Sequence, residues 1–288
     1  SNLGANAILA CSMAYAKLSA SSKGLALFEY FDVDAQNFMM PTPMMNLING
    51  GAHADSGLSI QEFMIMPLGF QTAAEQIRVG SEIFHTLKKL LKQAGHKVSV
   101  GDEGGFAPNL ESNEQALDFL MQAINEAGYT PGVDAHICLD VAASEFYENG
   151  VYKMMVDQKV QEFSSSELVQ YFVEMCENYP IFSIEDPMDE SDTDGWIEFM
   201  QKLGDTVQVV GDDYLVTNPE LIGKAIDNNS CNAVLIKPNQ IGTVSETVDA
   251  INLAKNNAWN TVVSHRSGDS EDSFIADLAV ATNAGQIK

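Results

Sequence analysis

The chain has 288 residues, 45% of them hydrophobic, and 40 Asp and Glu against 15 Lys and Arg give a formal charge of −25. The apolar content excludes general disorder, and the length fits one large α/β domain or two ordinary ones. The charge excludes a protein that grips a phosphate backbone, because that needs a basic face, so no direct nucleic-acid binding is expected.

Residues 3–20 are apolar and Ala-rich and predict one helix. Residues 36–50 hold Pro41, Pro43 and four methionines, and read as a connection into a strand over 44–49. A second strand is predicted over 62–66, ended by Pro67. Apolar residues recur at helical spacing over 73–93, including Ile83, Leu87, Leu90 and Leu91. A short apolar segment follows at 97–101, then a helix over 113–127 with Gly128 as its stop. Further on, strands are predicted over 136–141, 181–185, 207–211, 233–236 and 261–264. The helices between and after them fall at 166–178, 196–203, 218–227, 244–256 and 273–282. Serines ahead of Leu168 supply an N-cap, and Asn218 with Pro219 opens another helix. Strand then helix, repeated six times after an opening pair of strands, is the pattern of an α/β barrel. No Gly-x-Gly-x-x-Gly turn follows any strand, which argues against a doubly wound dinucleotide fold.

Cys11, Cys138, Cys176 and Cys231 are widely spaced and form no Cys-x-x-Cys pair. A disulfide framework or structural zinc site is therefore not expected, and a reducing compartment is. The apolar run over residues 7–16 is too short to span a bilayer and has no basic segment before it, so a cytoplasmic protein is expected.

The residues that end the strands carry the chemistry. Apolar runs finish in Asp140, Glu185, Asp212, Lys237 and His265, and the run 98–103 finishes in Asp102-Glu103. One acid after a strand reads as a helix cap or a solvated loop residue. Six ionisable endings in succession gather, in a barrel, at the single face where catalytic loops converge. Asp140, Glu185 and Asp212 lie on consecutive strands and repel one another unless a cation neutralises them. Oxygen donors without cysteine or histidine select Mg²⁺ or Mn²⁺. Lys237, beside a metal and shielded from water, is a candidate base. Glu103, between Gly101 and Gly104-Gly105, is the opposing candidate acid. Such a pair suits abstraction of a proton next to a carboxylate, followed by loss of a leaving group. Arg266 and Ser267 offer a fork and a hydroxyl to a phosphate; the alternative is a turn in which Arg266 pairs with an acid such as Asp213. The acid run 186–194 reads as a solvated loop. Trp196 and Trp259 read as packing residues, and His136 as structural.

These stretches, together with Asn49-Gly50-Gly51-Ala52-His53, Gln61-Glu62-Phe63-Met64-Ile65, Leu139-Asp140-Val141-Ala142-Ala143-Ser144-Glu145-Phe146, Ile184-Glu185-Asp186-Pro187, Leu235-Ile236-Lys237 and Gly285-Gln286-Ile287-Lys288, resemble the enolase family in order and from end to end. The resemblance implies a TIM-like barrel of the ββαα(βα)6 type over residues 36–288. It also implies that residues 1–35 are the tail of an N-terminal α+β domain whose remainder, like a closing C-terminal helix, lies outside these residues. It implies reversible dehydration of 2-phospho-D-glycerate to phosphoenolpyruvate in glycolysis. Two Mg²⁺ ions per site are expected, the tighter on Asp140, Glu185 and Asp212. Lys237 matches the base, Glu103 the acid, and Glu62 a second carboxylate near the leaving hydroxyl. Gln61, His53 and His265 match substrate contacts, Arg266 and Ser267 phosphate contacts, and Lys288 a carboxylate-side contact. A homodimer or higher homo-oligomer is expected. Two alternatives stay open: another acid-sugar dehydratase or racemase of the superfamily, or a binding role as a cell-surface receptor or a partner of an RNA-degrading assembly. Pro238, directly after Lys237, departs from the family pattern and removes a backbone donor.

Overall fold

The computed structural model describes residues 3–31, 37–51, 57–101, 103–156 and 159–288. Helices α1 (Ala5–Lys23) and α2 (Leu27–Phe31) precede a short β1 (Thr42–Pro43), then β2 (Met45–Asn49) and β3 (Glu62–Met66). Two helices, α3 (Ala73–Gln93) and α4 (Asn113–Glu126), come before β4 (His136–Asp140). A 3-10 turn at Ala143–Phe146 leads into β5 (Tyr147–Glu148), β6 (Val151–Val156) and β7 (Lys159–Phe163). The alternation then runs α5 (Ser165–Asn178), β8 (Ile181–Glu185), α6 (Thr193–Leu203), β9 (Gln208–Gly211), α7 (Pro219–Asn228), β10 (Ala233–Ile236) and α8 (Pro238–Ile241). It ends with α9 (Val244–Asn256), β11 (Asn260–Val263), α10 (Phe274–Ala281) and β12 (Gly285–Ile287). The chain divides into two compact units, residues 43–210 and residues 1–42 with 211–288.

In the unit of residues 43–210, β3 pairs antiparallel with both β2 and β4, while β4, β8 and β9 run parallel. The opening pair of strands followed by two helices is the irregular start expected from the sequence. All five residues of β3 are buried, as befits a strand covered on both faces. Helix α3 starts where Thr72 accepts a hydrogen bond from Glu75 N, and it buries Val79, Ile83, Leu87, Leu90 and Leu91. Ser112 caps α4 in the same way. Ser164 and Glu167 form a reciprocal capping box on α5, satisfying two of the amides that a helix start leaves open.

The antiparallel meander β5-β6-β7 is absent from the sequence reading, which leaves residues 147–163 unassigned. Its turn is Asn149-Gly150, both in the left-handed region at φ 53° and 85°, a strong hairpin signal. Tyr152 and Met154 alternate inward past exposed Lys153. The segment 97–101, read from the sequence as a short apolar run, makes a bridge from Val100 to Phe106.

In the other unit, β10, β11 and β12 run parallel. Helix α1 packs with α2, α9 and α10 through Leu9, Ala16, Val244 and Phe274. Val244 N donates to Ser12 Oγ at 3.1 Å, and Lys17 pairs with Asp272 at 2.5 Å. Pro238 is the first residue of α8, where an amide would have no partner within the helix, so the proline costs no hydrogen bond. Trp196 and Trp259 are buried packing residues, as expected. Among the described residues no helix is long and apolar enough to cross a membrane.

Candidate active site

Strand direction brings the acids of residues 43–210 into line. Because β3 runs against β2 and β4, its first residue falls level with their last. The register therefore matches Asn49 with Glu62, Glu62 with Asp140, and Asp140 with Glu185. Neighbouring strands stand about 4.8 Å apart, so three carboxylates occupy adjacent positions along one edge. All three are removed from water: Glu62 is 2% exposed, Asp140 4% and Glu185 2%. The backbone knits the row together, with Gln61 N donating to Asp140 O and Val141 N to Glu185 O, each at 2.9 Å. Gln61 is half-buried beside Glu62.

Glu103 sits in a glycine loop that is bonded to the end of β2. Gly101 N donates to Gly105 O at 2.8 Å, and Asn49 N donates to Phe106 O at the same distance. The loop fits because its glycines lack side chains. A Cβ on Gly101 would stand 2.3 Å from Asn49 Nδ2, and one on Gly105 2.5 Å from Asn49 Oδ1. Glu103 is half-buried at the tip.

The next residue after Glu185 adds strain. Asp186 is 4% exposed and sits at φ 42°, a left-handed conformation that costs a non-glycine residue about 1–3 kcal/mol. The acid run 186–194 is thus not simply a solvated loop, because Asp186 and Asp189 are both buried. Asp189 N donates to the Tyr152 hydroxyl at 2.9 Å, and Trp196 Nε1 donates to Asp189 O at 3.0 Å. These bonds draw the loop inward.

In the unit that contains residues 211–288, Asp212 and Lys237 form a buried ion pair, their side chains 7% and 14% exposed. Gln240 Nε2 donates to the other Asp212 oxygen at 3.0 Å. Thr217 Oγ1 donates to Gln240 Oε1 at 3.0 Å and accepts from Lys237 N at 2.9 Å. Thr217 and Gln240, which bond to this pair, were not singled out from the sequence. Thr217 hides in a non-glycine turn at φ 55°, and Gln240 in the four-residue α8. Asp213 offers a carboxylate oxygen within 4.8 Å of one from Asp212.

In the same unit, the segment after β11 adds further polar residues. His265 N donates to Lys288 O at 3.2 Å, and Lys288 N donates to Val263 O at 2.8 Å, which sets His265 beside Lys288. Arg266 and Ser267 are exposed and line a cleft of about 350 Å³ with Asn239, Ser264, Asp269 and Phe274. The Arg266 guanidinium donates to Asn239 Oδ1 at 3.2 Å, which uses one of its five donors. His53 lies outside the described residues.

Strands alternating with helices, and ionisable residues at the strand ends, define an α/β barrel protein with a carboxylate-rich site. The chain belongs to the family described as "Enolase, C-terminal TIM barrel domain", whose model matches residues 37–288. The fold class expected from the sequence is that family's, and membership places the chain among the enolase-superfamily lyases.

The donors also fit the metal that this family implies. Asp140, Glu185 and Asp212 supply carboxylate oxygens only, and each is buried. Hard oxygen donors of this kind suit Mg²⁺.

Proposed function

We propose that the protein catalyses the reversible, Mg²⁺-dependent dehydration of 2-phospho-D-glycerate to phosphoenolpyruvate. The observation that carries this reading is the buried register row Glu62–Asp140–Glu185 in a chain of the enolase family. Asp140, Glu185 and Asp212 would hold the tighter Mg²⁺, which when bound supplies positive charge against the substrate carboxylate. Lys237 Nζ takes the proton from C2, so that the C–H electron pair becomes the new C2–C3 bond character. Glu103 gives a proton to the C3 hydroxyl, which departs as water with the electrons of the C–O bond. Glu62 stands near that hydroxyl and Gln61 beside the substrate. Arg266 and Ser267 receive the phosphate in the cleft, and Lys288 and His265 face the carboxylate side. The bond between Lys237 and Asp212 ties the base to a metal ligand. Engagement of Asp212 elsewhere would free the Lys237 amine to accept a proton. A second Mg²⁺, a homo-oligomer and a cytoplasmic location belong to the same reading.

The test is isotope exchange with the complete gene product. Lys237→Ala and Glu103→Gln should each abolish dehydration, since each removes a proton carrier rather than core volume. Exchange of the C2 proton with solvent should stop in Lys237→Ala and persist in Glu103→Gln. Equal exchange rates in the two variants would reverse the assignment of base and acid.

A further inference from the structure

Strand β6 carries two grips on the loops that flank the carboxylate row. On one side, Met155 N donates to Ser59 Oγ at 2.7 Å, three residues ahead of Glu62. On the other side, the Tyr152 hydroxyl donates to Asp192 Oδ2 at 2.7 Å and accepts from Asp189 N at 2.9 Å. Ser165 Oγ donates to the same Asp192 oxygen at 2.6 Å. Ala143 N, Val210 O and Ser144 Oγ also hold this segment through Asp186 and Glu190, but its Asp189 and Asp192 positions are joined by one phenol that is 0% exposed. A hydroxyl on a rigid ring, packed by Tyr147 at 4.6 Å between centroids, fixes that loop more closely than a flexible side chain can. Burial and the carboxylates of Asp192 and Asp189 push the Tyr152 phenol far above its ordinary range, so it stays a neutral donor at any working pH. The strained Asp186, directly after Glu185, needs such a support, because a left-handed residue persists only where its surroundings over-determine it.

We infer that Tyr152 is a positioning residue for the carboxylate row: through Asp189 and Asp192 it fixes the loop after β8 and hence the aim of Glu185. The inference rests on the proposed Mg²⁺ site. Groups that support ligands from behind change metal affinity by about 10–100-fold when lost.

The experiment is calorimetric titration of the complete gene product with Mg²⁺ alone, alongside a melting temperature for each metal-free variant. Tyr152→Phe keeps the ring and removes the hydroxyl, and should weaken Mg²⁺ binding by about tenfold, the low end of that range. Tyr179→Phe removes a comparable bond, from Tyr179 to Asp118 at 2.9 Å, away from the row. It should lower the melting temperature without changing the affinity. If Tyr152→Phe does not fold, Ser165→Ala decides, since it removes one of the two hydroxyls on Asp192 and should weaken binding by a smaller factor. Wild-type affinity in the folded Tyr152→Phe protein, or in Ser165→Ala where that one is used, would overturn the inference and leave the Mg²⁺ reading intact. A wild-type protein that binds no Mg²⁺ would overturn both.

Discussion

At the scale of single residues, the glycines around Glu103 show how a side chain can be placed by the absence of others. A Cβ on Gly105 would lie 2.9 Å from the Leu47 carbonyl carbon and 3.0 Å from Ile48 N. Both are backbone atoms at the end of β2, within a paired sheet, and they cannot rotate away. Gly105→Ala should therefore destabilise the protein by about 1–3 kcal/mol, as overpacking does. A lower midpoint in urea unfolding would register it; an unchanged midpoint would show that the loop has room to yield. Glu103 itself was legible in the sequence because glycines flank it. So was the placement of Asp140, Glu185, Asp212 and Lys237 at strand ends, because each ends an apolar run. Thr217 and Gln240 were not, since hydrogen bonds among loop side chains follow no period. Nor was the burial of Asp189. An acid run reads as solvated until a partner from elsewhere in the chain, here Tyr152, reaches it.

At the scale of elements, the helices with an apolar stripe and a capping residue were legible almost to their ends, as α3 and α9 show. The meander was not, although its Asn149-Gly150 turn and the alternation of Tyr152 and Met154 were present in the sequence. The strand–helix alternation of the barrel masks a hairpin that interrupts it. Three-residue β12 has too few positions to show any period. Strand β4 carries a test of its own at His136, whose Nδ1 is buried with no hydrogen-bond partner among the described residues. Its ring meets Phe182 edge to face at 5.9 Å, and burial lowers its pKa below the ordinary 6.5. The native state thus binds fewer protons at this position than the unfolded chain does. Stability from this group is complete above the unfolded pKa, near 6.5, and is lost as pH falls through the lower folded value. Unfolding free energy should fall from pH 7 to pH 5 more steeply in the wild type than in His136→Gln. Parallel curves for the two proteins would place the acid sensitivity in other groups.

At the scale of the whole molecule, the excess of acid and the site draw on the same electrostatics. A chain of charge −25 repels itself, and any salt relieves that repulsion by screening. Screening does little for the buried edge, where Asp140 and Glu185 face each other in register at 4% and 2% exposure. A cation seated among the carboxylates offsets their repulsion there directly. Mg²⁺ should therefore raise the melting temperature well beyond NaCl of equal ionic strength. At 100 times its dissociation constant the linkage amounts to about 2.7 kcal/mol. Asp140→Asn separates the two effects, because it removes a charge from the edge and a ligand from the metal. Without Mg²⁺ this variant should melt higher than the wild type, its buried repulsion reduced. With Mg²⁺ it should gain no more than NaCl provides, and the order of the two proteins should reverse. Stability sacrificed in the metal-free state is expected where a site must hold like charges ready for a cation. Equal Mg²⁺ shifts in wild type and Asp140→Asn would mean that the ion acts on the surface charge alone, and that the carboxylate row is not where it binds.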